Sequence, residues 1–312
     1  MDSSKATPKV KRRSGSLERK QAMMGILFAL PWILGLLFFF AFPLISSIYY
    51  SFTAYNIITP PRWIGLGNYR RLLNDARFIR SIQNTVFYAT MAVPVSIMVG
   101  ILLAFLLNLS VKLQGLFRTI VFLPSLVPVV ATSIIWQWLL NPRFGVVNFL
   151  LSQVGIGRFN WFTDPDLALP TLVLVAQWTL GNTVLIYLAG LQDISVDYYE
   201  AAELDGANTF QKAVRITLPL LTPVIFFNLV MGIINTLQIF ALPFTISAGM
   251  GTPGSPADSL LFYSIYLYLQ AFGFLNMGYA SAMAWIMFVI IASITFLVFN
   301  VAKGFVHYEE DS

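Results

Sequence analysis

The chain has no cysteine, and its only histidine is His307. Disulfides, thiolate metal centres and thiol nucleophiles are therefore excluded. One imidazole can build neither a histidine metal cluster nor a Ser-His-Asp triad. Charge is scarce too: Asp, Glu, Lys and Arg make up 11% of the residues, against about 25% in soluble domains. No G-x-x-x-x-G-K-[ST] phosphate loop is present, so the chain is not itself a P-loop ATPase. The centres of the apolar stretches hold no charged residue, whereas ion- or proton-coupled carriers bury Asp, Glu or Arg there. What is there is 57% hydrophobic, with a mean hydropathy of +0.74. Most of this surface needs a solvent other than water.

A bilayer core of about 30 Å takes about 20 apolar residues per helix. Uncharged apolar runs predict six spans, near 23–50, 82–109, 119–140, 168–191, 217–243 and 279–302. In hydrocarbon the backbone must satisfy its own hydrogen bonds, so the spans are expected to be helices, and the alternation of a membrane barrel is missing. The aromatic stretch 259–275 follows a Gly/Pro loop and is interrupted by Gly273. It reads as interfacial or re-entrant rather than as a seventh span.

The net charge is +5, with seven Lys and Arg in the first 20 residues. The basic tail looks like the start of a signal peptide, but run 23–50 is too long and lacks an A-x-A-like cleavage site, so it is expected to be retained. Segment 1–21 is read as a disordered cytoplasmic tail, 22–303 as the membrane domain and 304–312 as a second cytoplasmic tail. With both termini inside, the inner segments carry twelve Lys and Arg and the outer segments seven. This bias favours cytoplasmic termini, although the first outer loop is basic. That loop contains an expected amphipathic helix with Tyr69, Leu72, Leu73 and Ala76 at helical spacing. Prolines punctuate several spans (Pro31, Pro43, Pro94, Pro124, Pro128, Pro170, Pro219, Pro223 and Pro243). Such helices suit a bundle that changes shape, or reflect only the frequency of proline in membrane helices.

The charged loop 192–216 lies between the fourth and fifth spans. Asp197 and Glu200 have the spacing of a reciprocal N-terminal cap, and Gly206 is placed to stop a helix in the left-handed conformation. A short helix is expected from about Asp197 to Asp205, with Glu200 and Glu203 on one face and Ala201, Ala202 and Leu204 forming a small apolar side. A second helical piece is expected over 207–215, with Phe210 and Val214 four apart, and Pro219 can open the fifth span. A helix tied at both ends across the bundle is either a lever for a soluble partner or a plain connector.

The pattern Glu200-Ala201-Ala202, Asp205-Gly206-Ala207, Phe210, then Ile216-Thr217-Leu218-Pro219 and Pro223 resembles the signature of permease subunits of binding-protein-dependent ABC importers. It is most similar to the carbohydrate group of maltose and glycerol-3-phosphate type. Similar segments are 118–124, 136–142, 188–194, 277–282 and Ile64-Gly65-Leu66-Gly67-Asn68-Tyr69, and the likeness covers 25–303. It implies an all-α integral membrane protein of the type I ABC importer permease fold, in a bacterial or archaeal inner membrane. It implies as partners a second homologous permease, a dimer of ATP-binding subunits, a substrate-binding protein outside and membrane lipid, with no nucleic acid. ATP and Mg would bind the partner ATPase, and this chain would hold no cofactor or metal and have no catalytic residue. Residues 200–206 would form the helix seated on the ATPase. The extra spans and large outer domain of the maltose permease are absent from the sequence, which is closer to the plain six-span type.

Intramembrane polar residues usually face a bundle's interior. In the fifth span Asn228, Gly232 and Asn235 share a stripe with Gln238 at its flank. Amides both donate and accept, as sugar hydroxyls require. Trp178, Asn182 and Tyr187 in the fourth span and Trp285 in the sixth could add stacking and further bonds, and the resemblance places the path in this part of the bundle. The same stripe equally suits helix-helix contact. A self-sufficient carrier or channel for a neutral solute is the alternative function; a membrane enzyme lacks any convergent His, Cys or carboxylate cluster.

Overall fold

A computed structural model describes residues 15–109 and 111–302. Among these residues, four helices are long and apolar enough to cross a membrane, and six are if each of two bent pairs counts as one span. Apart from one two-residue hairpin, Thr53–Ala54 against Arg62–Trp63, the described regular structure is helical.

The first long helix runs through Gly15–Leu36, a wider π-type turn at Leu37–Ala41, and Phe42–Ser51. The wide turn lies just ahead of Pro43, which has no N–H to offer the preceding turn. Its apolar residues are exposed on every side, including Phe28, Trp32 and Phe39. Residues 15–21, expected in the disordered tail, are helical here. The rest of that tail and segment 304–312 lie outside the described residues.

Past the hairpin, Gly67–Leu73 forms the short outer helix. Leu72 is fully buried, but Leu73 and Ala76 are exposed, so the buried face is narrower than the spacing suggested. Asn68 donates to the Ser51 and Thr53 carbonyls at 2.9 Å each, and Tyr69 donates to Ser51 Oγ at 2.9 Å. The second span, Ala76–Asn108, starts six residues before the apolar run because Asp75 caps it, accepting from the Arg77 and Phe78 amides.

The third apolar run does not form one straight helix. Gln114–Leu126 and Val129–Leu139 meet at 101°. The residue before a proline is pushed out of the helical region, and Val127, ahead of Pro128, is extended. The fourth expected span forms two helices, Pro165–Gln177 and Gly181–Asp193, that meet at 51°. Gly181 makes room at that bend: a Cβ there would lie 2.8 Å from the Phe122 Cα of the third span.

The fifth span is Thr222–Ala248, entered through Thr209–Lys212, a wide turn at Ala213–Thr217 and Leu218–Leu220. The helix opens at Thr222 with Pro223 in its first turn, so Pro219 sits in the approach rather than at the start. The sixth expected span coincides with the helix Met277–Ala302. The aromatic stretch before it holds no helix long enough to cross a membrane. Leu260, Leu261, Phe262, Tyr263 and Ile265 are buried, and Tyr263–Tyr268 is a short helix packed on the second and sixth spans. It is inside the protein rather than at an exposed interface, which is where irregular backbone is tolerated at membrane depth.

Two cores hold the bundle. One joins Leu72, Phe78, Leu172, Ile246, Leu261, Tyr263, Tyr279 and Met283; the other joins Ala104, Leu107, Val184, Tyr187, Leu191 and Leu221. The second lies toward the charged loop.

Candidate functional site

The charged loop folds as a capped helix and a braced return. Its helix is Val196–Leu204. Ser195, not Asp197, is the cap: its hydroxyl accepts from the Asp197 amide at 3.3 Å. Asp197 thus sits in the first turn, where a carboxylate favours the helix dipole. At the other end the Gly206 amide donates to Glu203 O at 3.0 Å and the Ala207 amide to Ala202 O at 2.9 Å. This paired closure needs a left-handed residue between its two bonds, and Gly206 has φ +78°.

The return begins at Thr209, two residues later than expected. Asn208 and Gln211 cap each other reciprocally, each amide donating to the other's side chain at 2.8 Å. Two side-chain bonds fix the helix to the base of the fifth span: Lys212 Nζ to Glu203 Oε1 at 2.5 Å, and the Tyr199 and Thr217 hydroxyls at 2.9 Å. Lys212 holds the Glu203 carboxyl below its usual pKa, by hydrogen bond and by charge. Leu204 is 91% exposed and Phe210 75%. Glu200, Ala201, Glu203, Asp205 and Gly206 are also exposed, and Ala202 and Ala207 half-buried. The loop is a rigid, solvent-facing projection with two large apolar residues on it.

The eight residues proposed for a substrate path do not converge. Asn228 is buried and donates to its own helix at Val224 O, 2.9 Å. Gly232 faces Val93 of the second span. Asn235 and Gln238 are exposed, and Gln238 lines a groove of about 780 Å³ between the fifth and sixth spans with Ser264, Met287, Phe288 and Thr295. Trp178 meets Trp136 edge to face at 6.0 Å, and Asn182 is exposed. Tyr187 is fully buried against Gly100, its hydroxyl without a partner among the described residues; it packs the second span to the fourth. Trp285 donates to Ser47 Oγ of the first span at 3.1 Å and lines a different groove, with Ile48, Phe52 and Tyr69. Of the eight, Gln238 alone lines the large groove.

The sequence reading missed a polar hub at the opposite end of the bundle. Asp75 Oδ2 accepts from the Tyr266 and Tyr279 hydroxyls at 2.6 Å each, while Oδ1 caps the second span. Burial alone would raise its carboxyl, but these four bonds together hold it below the ordinary value. Arg77 grips Asp258 through two nitrogens at 3.0 and 2.8 Å, and Asn84 Nδ2 donates to Asp258 O and Leu261 O. A cap-forming residue directly ahead of a span was the available signal.

A family model described as "Binding-protein-dependent transport system inner membrane component" matches residues 96–307. The chain belongs to this family. The family member is 42% identical to the probable ABC transporter permease protein YesP of Bacillus subtilis, over 93% of this chain and 94% of that one. It is 34% identical to the lactose transport system permease protein LacF of Rhizobium radiobacter, over 92% and 97%. A crystal structure of a bacterial ABC transporter involved in the import of the acidic polysaccharide alginate matches at a TM-score of 0.77 and 26% identity, covering 95% of this chain and all of that one. The permease is thus a multi-pass inner-membrane protein of an importer, with the ABC importer permease fold. Its relatives are transport permeases and not enzymes, ATP hydrolysis falling to a separate subunit.

Proposed function

We propose that this permease carries a carbohydrate, and that residues 195–212 seat it on a cytoplasmic ATPase. The braced helix with exposed Leu204 and Phe210 carries the second part. Large apolar side chains held rigidly in water mark a protein contact, and the bonds through Lys212 and Tyr199 give a push on that helix a path into the fifth span. In this reading the chain has six spans, each bent pair being one, with both termini and the loop in the cytoplasm. A second permease completes the membrane unit, a binding protein delivers cargo from outside, and ATP and magnesium stay with the ATPase. Carbohydrate cargo is supported by the lactose and alginate systems to which the chain is similar, and by span centres whose polar groups are uncharged amides and hydroxyls.

The test is affinity purification of the full chain from its host in mild detergent, with mass spectrometry of what accompanies it. A second permease and a P-loop ATPase should copurify, and the ATPase should be lost from Leu204→Asp. A chain that arrives alone and moves solute in liposomes without ATP refutes the proposal.

A further inference from the structure

At the end of the fourth span away from the 195–212 loop, two arginines line one small cavity. Its volume is about 190 Å³, and Arg143, Phe144, Gly145, Asn148 and Arg158 are among its lining residues, with no carboxylate. The ion pairs among the described residues are Arg77–Asp258 and Lys212–Glu203, so both guanidinium groups here lack a counter-charge.

The backbone fixes both arginines. Asn141 Oδ1 accepts from the Arg143 and Phe144 amides at 2.9 and 3.3 Å, and the Gly145 amide donates to Asn141 O at 2.9 Å, setting Arg143 on a tight turn. A Cβ at Gly145 would lie 2.5 Å from backbone atoms of that turn, so the turn depends on glycine. The helix Val146–Gln153 follows, with no side chain capping its start. Its buried Asn148 donates to Phe159 O at 2.9 Å and accepts from the Phe159 amide and Trp161 Nε1. That clamp brings the returning chain, and Arg158 with it, back to the same cavity.

The surroundings identify what fills it. Trp138, at the last turn of the third span, is 73% exposed, and tryptophan at a span end marks the membrane interface. Val146, Phe149 and Leu150 are exposed on the adjoining helix, with Phe144 just before it and Val154 just after, the composition of a helix lying in the interface plane. Two unpaired guanidinium groups at headgroup depth, beside exposed aromatics, complement a phosphate that carries acyl chains. We infer that Arg143, Arg158 and the start of Val146–Gln153 bind the phosphate of an anionic phospholipid in the leaflet opposite the 195–212 loop.

The test uses the full chain, delipidated in non-ionic detergent and titrated with phosphatidylglycerol or phosphatidylcholine under native mass spectrometry. Phosphatidylglycerol should bind more tightly, and Arg143→Gln with Arg158→Gln should weaken it by about 25-fold, about fivefold for each arginine. Arg143→Lys with Arg158→Lys should keep most of the binding, and Phe149→Ser should weaken both lipids alike. Both arginines are exposed, so the thermal midpoint of the glutamine pair should be that of the wild type. Equal phosphatidylglycerol binding by the wild type and the glutamine pair overturns the inference. So does displacement of the lipid by equimolar inorganic phosphate, which would assign a free-anion site.

Discussion

Gly206→Val is the sharpest test of the loop as a force-bearing element. The residue holds φ +78° with nothing within 4 Å of where a Cβ would stand, so any effect comes from the backbone and not from a clash. An L-residue with a side chain costs about 1–2 kcal/mol in the left-handed region, and a β-branched one more. The bonds at risk are the two that close the helix, from Gly206 to Glu203 and from Ala207 to Ala202. A shift of 1–2 kcal/mol changes the ratio of closed to open helix ends by about 5- to 30-fold. Insertion and bundle stability should be unchanged, since 206 packs on nothing. Substrate-stimulated ATPase activity and uptake should fall in the order Gly, Asn, Ala, Val, because asparagine tolerates the left-handed region best among side-chain-bearing residues. The readout is uptake in vesicles normalised to inserted chain. Uptake by Val equal to Gly, or by Asn as poor as by Val, refutes the reasoning.

Gly278→Ala places a Cβ 2.1 Å from Thr53 O, and the backbone there cannot yield, so we expect a loss of at least about 2 kcal/mol, seen as a lower thermal midpoint in detergent and poor accumulation. Tyr187→Phe removes a buried hydroxyl that has no partner among the described residues; stability should stay level or rise, and uptake should not change, while a tenfold loss of uptake would place Tyr187 on the substrate path. The Asp75 carboxyl is held below the ordinary value of 3.8, so its contribution is fully present above that pH and lost as pH falls through its lowered folded value. The stability gap between wild type and Asp75→Asn should therefore be constant near neutrality and close under acid, as read by thermal unfolding across pH; a gap that widens in acid has the wrong sign.

Uncharged length made the long helices legible, because a bilayer demands it. Break points were less so. Pro124 and Pro128 stood in plain view, yet Pro94 lies within an unbroken helix, so proline alone does not decide a 101° bend. The loop's glycine stop was readable because the left-handed position is chemically narrow, whereas its start was not: Ser195 and Asp197 are both cap-forming residues, and the backbone chose the first. Periodicity found the Asn228–Gly232 stripe but says nothing of the helix it faces, and that neighbour turned out to be the second span. Tyr187 and Trp285 were chosen for their chemistry and sit in helix-helix contacts, an arrangement that does not decide between packing and cargo, since an aromatic with one polar atom suits either task.

The Asp75 hub has a consequence for how the chain is made. Its partners lie 191 and 204 residues away along the chain, and Arg77 reaches Asp258 across 181. Contacts of such separation form late. A ribosome emits the second span long before the sixth, so during synthesis the start of that span waits with Asp75 Oδ2 and the Arg77 guanidinium lacking their final partners. Chains truncated before Tyr279 cannot complete the junction, so this end of the molecule is what separates a finished permease from an unfinished one.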